Sequence, residues 1–128
     1  MKYLALDYGS AKIGVAIGDS ETRIASPFII LKNDKNFLSN LKKIIKTEEI
    51  DELVVGLPQG LQSQESKQYQ HVNYFVKLLK SELDKKIIVQ DEKLTSKQAQ
   101  TLLKGAKHKS GDDDVAAMLI LQGFLDQK

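Results

Sequence analysis

Short apolar runs and longer apolar periodicities alternate along the chain. Residues 3 to 6 (YLAL), 13 to 17 (IGVAI) and 24 to 31 (IASPFIIL) are separated by tight polar or glycine-bearing segments, which predicts three consecutive strands in an antiparallel meander. From Asn33 the period lengthens. Phe37, Leu38, Leu41, Ile44 and Ile45 fall on one face of a helix that Asn33 or Asp34 could cap. ELVVGLP then reads as a strand halted by Gly56 and Pro58. The polar stretch QGLQSQESKQ is a loop leading into a helix that carries Val72, Phe75, Val76, Leu79 and Leu83 on one side. KIIVQ predicts a further buried strand.

Beyond it, Thr95 followed three residues later by Gln98 forms a capping box that starts a helix near Ser96. GAKHKSGDDD is a glycine-bearing, charged loop. DVAAMLILQGFLDQ is apolar on most of its circumference, as a helix laid against a sheet must be. The order is three strands, helix, strand, helix, strand, helix, helix. That order predicts an α/β fold with a mixed five-stranded sheet whose later strands are parallel, flanked by crossover helices.

Composition narrows the chemistry. A chain of 128 residues is the size of one domain, expected to span 1–128, and no repeat or linker divides it. There is no cysteine, which removes disulfides, thiolate zinc sites and thiol nucleophiles together. The two histidines, His71 and His108, stand too far apart to suggest a histidine metal cluster. No run approaches a signal-peptide core or a membrane span, so the expectation is a cytoplasmic protein without a membrane partner. The net charge of +2 does not by itself demand a nucleic-acid partner.

Carboxylates then raise the main question. Asp7 closes an apolar strand, where burial of an unpaired charge costs several kcal/mol or more. Asp91-Glu92 follow the fifth strand, and Asp112-Asp113-Asp114 open the last helix. Each group alone has an ordinary structural use: a turn residue, a solvated turn, a helix cap. Together they sit where this fold brings strand ends and a helix start to one place. Oxygen donors of this kind suit magnesium or manganese, and one or two such ions can activate water for phosphodiester cleavage.

Four blocks, LALDYGSAKIGVAIGD, ELVVGLPQG, VQDEKLTSKQA and DDDVAAMLILQGFLD, occur in this order over nearly the whole chain. With them the sequence resembles the YqgF family of pre-16S rRNA nucleases, also described as Holliday-junction resolvases, within the ribonuclease H-like superfamily. The resemblance implies a ribonuclease H-like fold and a metal-dependent endonuclease with Mg2+ or Mn2+. It puts the catalytic and metal-holding carboxylates on Asp7, Glu92 and Asp113, with Asp112 and Asp114 as possible substitutes for the last. Ala11-Lys12 stands where the family has a basic pair, so one basic residue is lost, and Lys93 stands where it has arginine, which keeps the charge but loses the bidentate phosphate grip.

Lys12, Lys93, Lys97, Lys107 and Lys109 are the candidate nucleic-acid contacts. For Gly9 and Gly14 the simpler reading is backbone geometry. Tyr8, Tyr69 and Tyr74 could stack on bases, although a core role is expected of Tyr74 and a surface role of Tyr69. Implied partners are precursor rRNA, with or without a pre-ribosomal particle, or branched DNA, acted on by a monomer or a homodimer. Two other readings stay open. Asp7-Tyr8-Gly9-Ser10 also fits the first phosphate loop of actin-like ATPases, and the fold could serve as a non-catalytic nucleic-acid or ribosome-associated binding module.

Overall fold

The computed structural model describes residues 1–57, 67–91 and 112–127; of residues 57, 67–69, 91 and 112–114 only the backbone is described. The strands β1 (Lys2–Asp7), β2 (Lys12–Asp19) and β3 (Ile24–Lys32) form the expected meander, followed by α1 (Phe37–Thr47), β4 (Glu52–Leu57), α2 (Lys67–Glu82), β5 (Lys86–Asp91) and α3 (Asp112–Asp126). The sheet order is β3-β2-β1-β4-β5. β1 pairs antiparallel with β2 and parallel with β4, and β4 pairs parallel with β5. A mixed sheet of three antiparallel strands continued by parallel ones is therefore present, with β1 at its centre.

Central position explains why β1 is apolar without alternation: Tyr3, Leu4, Ala5 and Leu6 are all fully buried. Leu4 and Leu6 join a core with Phe37, Leu41 and Ile45 of α1 and Val72, Phe75, Val76 and Leu79 of α2. Tyr3 and Ala5 face the other way, onto Ala117, Ile120, Leu121, Phe124 and Leu125 of α3. Among the described residues, α1 and α2 cover one side of the sheet and α3 the other.

Four local expectations are corrected. Neither Asn33 nor Asp34 caps α1, whose N-cap position is Asn36, without a side-chain cap bond. Asp34 instead accepts a hydrogen bond from the Asn36 N–H at 2.9 Å to shape the entry turn, and Asn33 is engaged elsewhere. Leu83 falls just past the end of α2 and is half-buried. Tyr74 is not core: it is 71% exposed, because it falls off the stripe of Val72, Phe75, Val76 and Leu79. β5 is an edge strand, so Val89 is partly exposed while Ile87 is buried.

Pro27 lies on the other edge strand, where a missing N–H is tolerated, beside a register shift at Val15/Ala16. The helix expected near Ser96, with its Thr95 and Gln98 capping box, lies outside the described residues, as do most of the polar segment before α2 and the loop GAKHKSGDDD up to its aspartates. Among the described residues, no helix is long and apolar enough to cross a membrane.

Candidate functional site

Asp7 ends β1 on the face that α3 covers, since side chains alternate along the strand and Tyr3 and Ala5 point to α3. It is half-buried. Its register partner on β2 is Gly14. On the other side, one residue beyond the Leu6–Val55 pair, stands Gly56 of β4, and Gly56 is in turn paired with Gln90 of β5. A single row across the sheet thus reads Gly14, Asp7, Gly56, Gln90. Neither neighbour of the carboxylate has a side chain, so nothing in the row crowds the α3 side of Asp7.

The last helix lies over the same face of the sheet. Its C-terminal half is fixed over the start of β1: the rings of Phe124 and Tyr3 lie 5.0 Å apart edge to face, and Gln122 accepts the Ala25 N–H at 2.9 Å and donates to the Arg23 carbonyl at 2.8 Å. From Phe124 back to Asp113 the helix rises about 16 Å. From Tyr3 to Asp7 the strand rises about 13 Å. Asp113 and Asp114 precede Ala117 of the sheet-facing stripe by four and three residues, so a helix laid along β1 has the length to bring its first turn to the carboxyl end of that strand.

The turn after Asp7 is held from three directions. Tyr8 packs its ring 4.9 Å from that of Phe75 on α2, which rests 5.7 Å from Phe37 of α1. That contact uses Tyr8 as an anchor. Asn33 donates its side-chain amide to the Gly9 carbonyl at 2.8 Å, and its backbone N–H to the Ala11 carbonyl at 3.0 Å. At Gly9 an added Cβ would stand 2.4 Å from the Lys12 carbonyl oxygen, so only glycine fits without moving the turn.

Charge of the opposite sign borders the row. Lys12 opens β2, exposed, in register with Lys32 at the end of β3, and alternation puts both on the α3 face. These lysines lie at the same end of the sheet as Asp7. Of the other residues singled out from sequence, Glu92 follows β5 directly but lies outside the described residues, as do Lys93, Lys97, Lys107 and Lys109. The side chains of Asp113 and Tyr69 are likewise outside them. Among the described residues alone, no three histidines or carboxylates lie together to hold a metal.

Sequence reasoning passed over Gln90 and Lys32, and gave Gly56 and Asn33 other roles, a strand stop and a helix cap. Gln90 is buried, 7% exposed, in a strand otherwise filled by apolar and terminal charged residues. Gly56 and Gln90 gain meaning only from strand order and register, which join residues distant in the chain. A polar residue inside a predicted strand core was the one available signal.

Comparison with known proteins gives the chain's family and fold relatives. A family model described as RuvX, Holliday junction resolvase, matches residues 1–127. A Mycoplasmoides gallisepticum protein named "putative pre-16S rRNA nuclease" is 37% identical over 98% of this chain and 96% of its own. A Thermoanaerobacter pseudethanolicus protein of the same name is 38% identical over 100% of this chain and 98% of its own. Among solved structures, Thermus thermophilus RuvC in complex with a Holliday junction superposes with a TM-score of 0.66 at 9% identity, covering 99% of this chain and 94% of that one. The fowlpox virus Holliday junction resolvase superposes at 0.58 with 16% identity over the full length of both chains. These last two share the fold.

Proposed function

The chain belongs to the RuvX family of Holliday junction resolvases, and from that membership we propose that it is a divalent-cation-dependent nuclease that hydrolyses phosphodiester bonds in 5′-end maturation of pre-16S rRNA. In this reading Asp7, Glu92 and Asp113 hold one or two magnesium or manganese ions, and residues 1–128 form one nuclease domain. The observation that supports it is that Asp7 and the end of β5 lie at the same end of the sheet, in a chain that the family model matches over residues 1–127.

The donor set fits such an ion. Aspartate and glutamate are hard oxygen ligands of the kind magnesium and manganese prefer, and the glycines beside Asp7 leave room for an ion that keeps several waters. When bound, the cation supplies an acidified water and charge neutralisation at the leaving oxygen. The protein's own part is to hold Asp7 rigidly, through Tyr8, Gly9 and Asn33, and to draw the substrate backbone towards it with Lys12 and the lysines of the 93–109 segment. Precursor rRNA is favoured by the names of full-length relatives at 37 and 38% identity. Branched DNA is the second reading, favoured by the family's own description.

Purified protein is incubated with labelled precursor 16S rRNA 5′ fragments and with a four-way DNA junction, in manganese, in magnesium and in chelator, beside Asp7→Asn. Cation-dependent cutting of the RNA that the variant loses is the expected result. Cutting of the junction alone would transfer the assignment to resolution. Binding without cleavage of either substrate would overturn the nuclease and leave a binding module.

A further inference from the structure

Gln90 is buried on the α3 face of β5, and among the described residues its carboxamide has no hydrogen-bond partner. Leaving an amide buried and unsatisfied is costly, so a polar group retained in such a place calls for a partner that the described residues do not provide. The register says where that partner would stand. Gln90 is paired with Gly56, and Asp7 is the next residue along the same row on the same face.

Two strand spacings separate the Asp7 and Gln90 backbones, about 10 Å, with both side chains standing off the sheet towards α3. One ion cannot touch both from there. An ion on Asp7, with metal–oxygen distances near 2 Å, together with one of its waters and the lean of the long glutamine side chain, spans that width. The residue between them is glycine, so no side chain of the sheet stands in that span.

We propose that Gln90 is a positioning residue of the cation site: across the gap at Gly56, its carboxamide oxygen accepts a hydrogen bond from the water shell of a divalent cation held at Asp7. The inference rests on the cation-dependent reading above. Groups that orient a metal's surroundings commonly change its affinity by about 10- to 100-fold when removed.

Manganese binding to the full chain is measured by titration calorimetry for the parent protein, Gln90→Leu, Gln90→Met, Gln90→Glu and Asp7→Asn, with melting temperatures alongside. Both apolar variants should raise the manganese Kd about tenfold without lowering the melting temperature. The cation concentration for half-maximal cleavage should rise in step, with kcat recovered at saturation. Gln90→Glu, which keeps an acceptor oxygen, should bind manganese at least as tightly as the parent. A manganese Kd unchanged in both apolar variants, while Asp7→Asn loses binding, would overturn this inference and leave the nuclease reading standing. Binding unchanged in Asp7→Asn as well would overturn both.

Discussion

The two ends of β1 are built for opposite purposes. Around Tyr3 the sheet is closed: Phe124 sits on the ring, and an added Cβ at Gly18, the register partner of Tyr3, would come within 2.9 Å of Leu121 and 3.1 Å of Leu125. Lys2 and Asp51 exchange hydrogen bonds there at 2.8 Å. Around Asp7, six residues from the N-terminus, the neighbours are glycines and charges, and a buried glutamine is left without a bond among the described residues. One end secures the fold through close packing. The other gives up packing for room, and the same strand and the same helix join them, so a site can be fixed from a distance by a core that it does not share.

The largest effect should come from exchanging the charge at the open end. Asp7→Asn keeps the side chain's shape and removes the charge of the proposed ligand, so cation-dependent cleavage should fall by about a thousandfold, an effect of the size seen when an electrostatic partner of a reaction is lost. Thermal melting should move little. A melting temperature that drops with the activity would show that the carboxylate belongs to the fold and would erase the contrast between the two ends.

Next comes the closed end. Leu121 is fully buried against the sheet, and Leu121→Ala should cost about 3 kcal/mol in unfolding free energy, read from urea titration. Cleavage per folded molecule should stay close to the parent's. Loss of activity in molecules that remain folded would mean that the α3 stripe also sets the position of Asp113.

Much of this contrast was legible in the sequence, and the reason differs by residue. Strand and helix order followed from apolar periodicity, which is local, and Asp7 stood out because a charge at the end of YLAL is locally anomalous. The cap of α1 was misread because Asn33 and Asp34 are both good capping residues, while the competing hydrogen bond from Asn33 to Gly9 links positions 24 apart. Tyr74 was misread because a tyrosine near an apolar stripe resembles part of it until the helix phase is known to one residue. Gln90 escaped notice because its significance depends on Gly56 and Asp7, which only pairing in the sheet brings beside it.

The turn offers a subtler test. Gly9→Ala would force a Cβ against the Lys12 carbonyl, so the turn must shift at a cost of about 1–2 kcal/mol. Because that turn follows Asp7 directly, cleavage should fall by more than the stability loss accounts for, about tenfold at saturating cation, in a single-turnover assay. Equal activity per folded molecule would show that the carboxyl end of β1 is insulated from its own turn.

Smallest of all should be Lys32→Gln. Lys12 and Lys32 are like charges in register on one face, an arrangement that costs a few tenths of a kcal/mol in a folded chain, so removing one should leave stability unchanged or raise it slightly. If the pair instead serves a polyanion, the same substitution should weaken RNA binding a few-fold and reduce the slope of log affinity against log salt by about one. The signs oppose each other: a lysine that only decorates the surface yields a neutral change in both, whereas one retained for substrate yields weaker binding in a protein no less stable. Anisotropy titrations of the RNA fragment at several salt concentrations, with melting curves of the same samples, decide whether the open end of the sheet extends across β2 to β3 or stops at Asp7.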